Sequence, residues 1–297
     1  MNADLQRVWD LMKAGGAQIP PNPTIEFMRE FANGANARQP LPQGVTFTDV
    51  DENGVKGIWS QHEGVSKTRA ILYFHGGGYI VGTASSWRGL WGELGRRANM
   101  RVFGVEYRLA PENPFPAAHD DGLAAYRYLL KQGLAPGSIA FAGDSAGGAM
   151  AVATMYMARA AGLPMPGAGY LIAPWMDHQL TGATIKTKAD VELLAGPDTL
   201  RGMSDAYLRG HSKSDPLVSP LYGDVTGLPP LMIQVGSEET LLDDSVRFAG
   251  KAGAAKAKVA LEIYPDCFHV FQSWHSMIAE AREALDHAAV FLNAHLG

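Results

Sequence analysis

The stretch Ser138-Ile139-Ala140-Phe141-Ala142-Gly143-Asp144-Ser145-Ala146-Gly147 decides how this chain should fold. Its first five residues have the character of a short buried strand, and residues 146–161 are rich in Ala and Met and contain no proline, which predicts a helix. Gly-x-Ser-x-Gly between a strand and a helix is the pattern of a nucleophile elbow, a turn too tight for side chains at the two glycine positions. The pattern predicts Ser145 as a nucleophile, with Gly143, Asp144 and Gly147 as structural support.

A second glycine-rich turn, His75-Gly76-Gly77-Gly78, follows the apolar run at 70–74, which predicts another buried strand. Attack of a serine on a carbonyl carbon places negative charge on the carbonyl oxygen, and fixed backbone N–H groups can stabilise that charge. A turn of this kind supplies such donors together with the N–H of the residue after the nucleophile. We therefore predict an oxyanion hole formed by Gly77, Gly78 and Ala146, with His75 and Gly76 supporting the turn.

Strand and helix signals alternate along most of the chain. Residues 45–50 and 55–59 predict an antiparallel hairpin, and further strands are expected at 69–74, 101–106, 168–173, 231–235 and 258–264. Helices are expected at 85–98, 117–130 and 276–296. This alternation predicts an α/β fold with a mostly parallel central sheet and helices on both faces, whose functional residues lie at the carboxyl ends of the strands.

Composition narrows the class of protein. The 297 residues are 46% hydrophobic and carry a formal charge of −5, which predicts one large core and argues against nucleic acid or an anionic membrane as a partner. The single cysteine, Cys267, excludes an intrachain disulfide, and no spacing of Cys and His suggests a metal site. The first residues lack the pattern of a signal peptide. We expect a cytoplasmic protein without a metal or cofactor.

The chain has nine histidines from which a catalytic base can come. His269 lies between the last predicted strand and the last predicted helix, which brings it to the same edge of the sheet as Ser145. The chain order serine, acid, histidine is the one that enzymes with this elbow use. We therefore predict His269 as the base. A structural position is expected for His119, and surface positions are expected for His62, His178, His211, His287 and His295.

The acid should follow the strand at 231–235, where Gly236-Ser237-Glu238-Glu239-Thr240-Leu241-Leu242-Asp243-Asp244 contains four carboxylates. The acid must accept a hydrogen bond from the imidazole N–H and stabilise the imidazolium. A place on the loop, ahead of the turn into the next helix, favours Glu238 or Glu239 over the two aspartates. The residues alone leave both glutamates open.

Taken together, these motifs resemble the bacterial hormone-sensitive-lipase-like carboxylesterases of the α/β-hydrolase superfamily. The resemblance covers about residues 70–271, is weakest over the first 45 residues, and rests on 75–79, 143–148, the terminal acid and histidine, and Tyr107-Arg108-Leu109-Ala110-Pro111-Glu112. It implies an α/β-hydrolase fold with a helical cap. It also implies a serine carboxylesterase that hydrolyses short- to medium-chain acyl esters through an acyl-serine intermediate, with a small-molecule ester substrate and no cofactor. A homodimer is left open.

The resemblance also assigns the parts of the chain. Residues 1–44 would be an N-terminal cap segment, 45–175 and 221–297 the catalytic core, and 176–220 a cap insertion. Aligned with the family on Leu241 and Asp243, the acid falls on Glu239, where the family commonly has Asp, and Asp243 is expected to brace the histidine loop or cap a helix. Asp266 and Val270 stand where the family often has Gly. The substrate pocket is expected to include Tyr79, Trp175 and Val270.

Two other functions stay open. A lactonase or an amidase would use the same triad, because the cap and not the triad recognises the leaving group. A non-catalytic protein that binds a small ligand is the second alternative, since some relatives of the family keep the fold without the histidine. The presence of His269 beside a serine and a carboxylate argues for an enzyme.

Overall fold

The computed structural model of the chain describes residues 1–21 and 23–297 and contains an eight-stranded sheet. The strands are β1 (Val45–Glu52), β2 (Val55–His62), β3 (Ser66–Phe74), β4 (Met100–Val105), β5 (Ile139–Asp144), β6 (Ala168–Ile172), β7 (Leu231–Gly236) and β8 (Val259–Tyr264). Their order in the sheet is β1-β2-β4-β3-β5-β6-β7-β8. β1 and β2 form the expected antiparallel hairpin, β2 pairs antiparallel with β4, and all other pairs are parallel. The predicted mostly parallel α/β sheet is confirmed.

The described part of the chain contains nine helices. They are α1 (Ala3–Gly16), α2 (Ile25–Ala37), α3 (Arg88–Ala98), α4 (Ala117–Lys131), α5 (Ala146–Ala160), α6 (Thr184–Thr187), α7 (Pro197–Leu208), α8 (Leu242–Ala254) and α9 (Ala279–His295). The expected helix at 276–296 begins only at Ala279, because residues 275–277 form a turn and Ile278 before the helix has an extended backbone. None of the described helices combines the length and the apolar character that a membrane span needs.

The strands divide the core into two layers because their side chains alternate between the faces of the sheet. In β3, Leu72 and Phe74 pack into the layer that contains α4, α5 and α8. Ile71 and Tyr73 pack into the opposite layer, which contains α3 and α9. Burial on both faces explains why the central strands are continuous apolar runs.

The parallel strands bring four loops to one edge of the sheet. The turn that begins at His75 follows β3, and Ser145 follows β5. The loop that contains Glu239 follows β7, and the loop that contains His269 follows β8. The fold therefore collects the predicted site residues at the carboxyl ends of the strands, as expected for an α/β sheet.

The N-terminal helix forms a third, smaller core with the histidine loop. Leu5, Val8 and Trp9 of α1 are buried against Phe268 and Phe271. The side chain of Asn2 caps α1 by accepting a hydrogen bond from the N–H of Leu5 at 2.9 Å. The first helix thus packs against the C-terminal part of the chain.

Candidate active site

The predicted nucleophile lies on a strained turn between β5 and α5. Ser145 has φ 54° and ψ −121°, a backbone conformation that residues other than glycine rarely adopt. A Cβ on Gly143 would collide with the carbonyl group of Gly147, and a Cβ on Gly147 would collide with the carbonyl oxygen of Phe74. These close approaches explain why the elbow needs glycine at both flanking positions.

The backbone holds this turn in place from the neighbouring strand. The N–H of Ser145 donates to the carbonyl oxygen of Ile172 at the end of β6, at 2.8 Å. The serine itself is 8% exposed, at the N-terminus of α5. Among the described residues, no hydrogen bond joins Ser145 to His269. Such a contact is often long in an enzyme without substrate and shortens in the complex.

The glycine turn presents backbone donors beside the serine. Gly77 and Gly78 have φ 110° and 60°, and the carbonyl oxygen of Gly77 accepts from the N–H groups of Ile80 and Val81 at 3.0 Å each. Within residues 1–21 and 23–297, the N–H groups of Gly77, Gly78 and Ala146 donate to no other protein oxygen. They are therefore available to an incoming oxygen with negative charge.

Asp144 connects the elbow to this turn. Its Oδ1 accepts from the N–H of Gly76 at 3.0 Å and from the Tyr73 hydroxyl at 2.8 Å, and its Oδ2 accepts from Trp87 Nε1 at 3.1 Å. Burial raises the pKa of Asp144 to about 6, against the hydrogen bonds from Tyr73 and Trp87 that favour the carboxylate. The motif predicts a supporting role for Asp144, and the structure adds the three donors that the carboxylate holds.

His75 is fixed inside the turn as a neutral ring. Its Nδ1–H donates to the carbonyl oxygen of Gly76 at 2.7 Å, and its ring stacks on Tyr107 with 4.2 Å between centroids. The Tyr107 hydroxyl donates to the carbonyl oxygen of His75 at 2.7 Å. Burial lowers the pKa of His75 to about 4. These contacts suit a residue that orients the turn.

The structure brings Glu239 and His269 together. His269 Nδ1–H donates to Glu239 Oε1 at 3.2 Å, and Glu239 Oε2 accepts from the N–H of Gly236 at 3.1 Å. Burial by itself would lower the pKa of His269, but the carboxylates of Glu239, Glu192 and Asp144 raise it above its usual value. Burial raises the pKa of Glu239, and the contact with His269 opposes that change. The pair can hold one imidazole tautomer and stabilise a positive charge on the ring.

The other carboxylates of the loop have different partners. Glu238 forms an ion pair with Lys188, with oxygens 2.9 and 3.0 Å from Nζ. Asp243 Oδ2 accepts from the N–H of Ala183, so this residue braces the segment around α6 and not the histidine loop. Asp244 Oδ2 accepts from the backbone N–H groups of Met176 and Asp177.

Two residues of the histidine loop have the positive φ angles that usually favour glycine. Asp266 and Val270, which stand where the resembled family often has Gly, have φ 61° and 53°. The loop is supported by α1, where the Trp9 ring packs edge-on against Phe268 and its Nε1 donates to the carbonyl oxygen of Asp266 at 3.3 Å. Packing against α1 therefore stabilises a loop whose own backbone is strained.

Helix α7 reaches the glycine turn, and helix α2 reaches the residues just after it. A Cβ on Gly78 would collide with the sulfur of Met203 on α7. Arg29 of α2 donates to the carbonyl oxygens of Ile80 and Ala110 at 2.9 Å each and forms a bidentate pair with Glu112. Glu112, the last residue of the Tyr107–Glu112 motif, therefore holds the guanidinium of Arg29 in place. The sequence alone did not predict this pairing.

The expected pocket residues lie close to the site, and two of them are fully buried. Tyr79 stacks on Tyr207 with 4.0 Å between centroids and donates its hydroxyl to the carbonyl oxygen of Ala146 at 3.0 Å. Trp175 stacks on His178 at 3.8 Å, and Val270, beside His269, is 9% exposed. That these three contact substrate stays a prediction.

The surface position expected for His178 is wrong. His178 is buried, with its Nδ1 3.1 Å from the Ser204 hydroxyl of α7 and its ring against Trp175. The segment that follows β6 packs against the core, and no local sequence pattern predicts that packing. Between the described residues, no three His, Cys, Asp or Glu side chains form a group that could hold a metal ion.

Comparison with known proteins agrees with this geometry. A family with the α/β-hydrolase fold matches residues 71–273. A solved esterase of the bacterial hormone-sensitive lipase family is 36% identical, with a TM-score of 0.96 over 100% of this chain and 99% of the other. The chain belongs to this family of α/β hydrolases.

Two relatives with named activities extend the comparison. An acetyl-hydrolase of Streptomyces hygroscopicus is 45% identical over 77% of this chain and 77% of its own length. An ethyl acetate hydrolase of Pseudomonas putida is 33% identical over 76% of this chain and 73% of its own. The family and these relatives make the chain a carboxylic ester hydrolase, and its substrates are small-molecule esters.

Proposed function

We propose that this carboxylesterase works through an acyl-serine intermediate. Ser145 attacks the ester carbonyl carbon while His269 Nε2 takes the hydroxyl proton, and Glu239 stabilises the resulting imidazolium. The negative charge on the carbonyl oxygen is received by the N–H groups of Gly77, Gly78 and Ala146. His269 then protonates the leaving alkoxide, and a water molecule activated by the same base hydrolyses the acyl-serine.

One observation carries this proposal more than any other. The 3.2 Å contact between His269 Nδ1 and Glu239 Oε1 lies at the same edge of the sheet as the strained elbow of Ser145. The proposed base and acid are thus in contact, and the proposed nucleophile and backbone donors lie at the same edge of the sheet. This arrangement supports serine chemistry over a binding protein that has lost its base.

We further propose that residues 1–44 and 176–220 form a cap over the core at 45–175 and 221–297. The approach of Met203 to Gly78 and the hydrogen bond from Arg29 to the carbonyl oxygen of Ile80, two residues after the glycine turn, support this division. A cap so close to the turn would bound the depth of the acyl pocket. The proposed substrates are therefore esters of short- to medium-chain acids, which accords with the acetyl and ethyl acetate substrates in the names of the two relatives.

A series of p-nitrophenyl esters from acetate to palmitate tests the acyl range. Each added methylene group contributes about 0.8 kcal/mol while it is buried and nothing once the pocket ends. We expect kcat/KM to rise to a maximum between butyrate and octanoate and then to fall steeply. Preference for palmitate emulsions over soluble short esters would contradict the proposed pocket.

Two further assays separate the alternatives. Lactone and anilide substrates, measured beside the esters, distinguish an esterase from a lactonase or an amidase with the same triad. A serine-directed organophosphate should label Ser145 rapidly if the base is functional. Absence of labelling together with absence of ester hydrolysis would favour a protein that only binds a small ligand.

We also propose a homodimer. β8 (Val259–Tyr264) is the last strand of the sheet, and Ile263 on it is 45% exposed. A second copy could pair with this edge. Light scattering should give the mass of two chains, and a monomer mass at micromolar concentration would contradict the proposal.

The cytoplasmic location stays a prediction of the sequence.

A further inference from the structure

A carboxylate from the segment between α6 and α7 lies beside the proposed triad. Glu192 is half-buried, and no Lys, Arg or His of the described chain lies within ion-pair distance of it. Its Oε1 accepts from the backbone N–H groups of Leu194 and Ala195 at 2.8 and 3.0 Å, and its Oε2 accepts from the N–H of Thr240 at 3.0 Å. The carboxylate therefore serves as an acceptor for three backbone donors, two from its own segment and one from the loop after β7.

Thr240 is the residue directly after the proposed acid, and α6 together with the segment between α6 and α7 provides a partner for each of its polar groups. Besides the N–H that donates to Glu192, the Thr240 hydroxyl donates to the carbonyl oxygen of Ala195 at 2.6 Å. The Thr240 carbonyl oxygen accepts from the Thr184 hydroxyl at 2.7 Å. Thr240 and Glu239 are both fully buried. The position of the Glu239 backbone is thus set in large part by residues 184–195.

We propose that Glu192 is a positioning residue, which holds the loop after β7 so that Glu239 meets His269. The inference rests on the proposed function, because it takes Glu239 as the acid and His269 as the base. A displacement of about 1 Å at a catalytic group can cost about 100-fold in rate. A hydrogen bond to a charged acceptor is also stronger than one between neutral groups, which suits Glu192 to this task.

The charge of Glu192 should affect the pH dependence of kcat/KM, which a purely structural contact would leave unchanged. The groups that act on His269 are Glu239 from the loop after β7, Glu192 from the segment before α7 and Asp144 from the elbow, and all three favour the protonated ring. The base must be neutral to accept the serine proton. Loss of the Glu192 charge should therefore lower the pKa of His269 and shift the acid limb of the kcat/KM profile to lower pH.

The test compares Glu192→Gln with Lys188→Met on p-nitrophenyl butyrate. Lys188 pairs with Glu238 and so joins the same two segments without touching Thr240 or His269. We expect Glu192→Gln to lower kcat by roughly 10- to 100-fold with little change in KM, and to move the acid limb downwards. We expect Lys188→Met to keep the wild-type kcat and acid limb. Glu192→Asp, which retains the charge, should keep the acid limb close to its wild-type position.

Wild-type kcat and an unmoved acid limb in Glu192→Gln would overturn the inference. Equal losses of kcat in Glu192→Gln and Lys188→Met, without a shift of the acid limb, would also overturn it. Such a result would mean that both side chains only attach residues 184–195 to the loop after β7. The midpoint of the limb does not depend on how much enzyme is folded when the folded fraction is constant over the pH range, which circular dichroism at each pH verifies for every variant. Ser145→Ala, measured in parallel, tests the proposed function separately, since its activity must be lost whatever Glu192 does.

Discussion

Asp144 Oδ1 accepts a hydrogen bond from the backbone N–H of Gly76 at 3.0 Å, so the residue before the elbow serine holds the start of the glycine turn. The same carboxylate accepts from Tyr73 and Trp87, which lie on β3 and beside α3. The elbow and the turn are therefore one unit. The spacing between the serine and the backbone donors depends on this side chain, together with the Tyr79 hydroxyl that donates to the carbonyl oxygen of Ala146.

Replacement of Asp144 by Asn should disturb that spacing. The amide has one oxygen and one nitrogen that donates, so it cannot accept from Gly76, Tyr73 and Trp87 together. We expect kcat on p-nitrophenyl butyrate to fall by about 100-fold, similar to the loss of one oxyanion donor. Asp121→Asn, which alters a partly exposed ion pair with Arg108, is the matched control and should keep wild-type kcat. Unchanged kcat in Asp144→Asn would show that the turn holds its shape without this carboxylate.

The same variant should respond to pH in a defined direction. Folding raises the pKa of Asp144 from 3.8 to about 6, so the stabilising contribution of this group is complete below pH 3.8 and is lost as the pH rises through about 6. Asp144→Asn has no such titration. The free energy of unfolding of the variant, relative to wild type, should therefore increase by up to about 3 kcal/mol between pH 4 and pH 7. Urea unfolding at several pH values measures this difference, and a constant difference would contradict the raised pKa.

Ser145→Ala should abolish ester hydrolysis and leave the fold intact. Members of a triad act as a unit, so we expect a loss of turnover on the order of 10⁶-fold. Ser138→Ala, a change at a distant serine whose hydroxyl donates to the carbonyl oxygen of Gly297, serves as the control. Circular dichroism should give the same spectrum for all three proteins. Activity above a few per cent of wild type would indicate another nucleophile.

Glu239→Gln should cost far more activity than Glu238→Gln. An amide at 239 cannot stabilise the imidazolium and can favour the wrong tautomer, a change that costs roughly 10⁴-fold in a well-studied serine protease. Glu238 contacts Lys188 and not His269, so its amide variant should keep most of the wild-type kcat. The comparison uses kcat from initial rates at saturating ester. A larger loss in Glu238→Gln would mean that the acid has been assigned to the wrong residue.

The elbow, the glycine turn and the order of strands and helices could be predicted because their causes are local. Glycine at 143 and 147 is required by contacts within a few residues or with the end of β3, and continuous apolar runs mark strands that are buried on both faces. The position of His269 could be predicted for a similar reason, since its place after the last strand determines which edge of the sheet it reaches, while its role as the base stays a prediction. The predicted and observed element boundaries differ mostly at the starts of helices. There, short turns replace the first residues of the predicted helix, as before Arg88 and Ala279.

Other parts of the site depend on partners that are distant in sequence. The residues alone did not decide between Glu238 and Glu239, because the path of that loop depends on Cys267, whose carbonyl oxygen accepts from the N–H of Glu238 at 2.9 Å. The pairing of Arg29 with Glu112 spans 83 residues, and no periodic pattern connects them. His178 was expected at the surface because it falls in the predicted cap insertion, and its burial depends on Tyr79 and on Ser204 of α7, which are distant in sequence.

Helix α1 packs against the histidine loop, although the two are far apart in the sequence. Trp9 and Asp266, which share a hydrogen bond, lie 257 residues apart, so the helix is synthesised long before the loop that it supports. Contacts of such long range form late in folding, because the intervening chain must first be brought together. A nascent chain can therefore complete the elbow and the glycine turn before the loop of the proposed base, His269, is in place. Hydrolytic activity should appear only after residue 269 has left the ribosome, so an unfinished enzyme would not attack esters during its own synthesis.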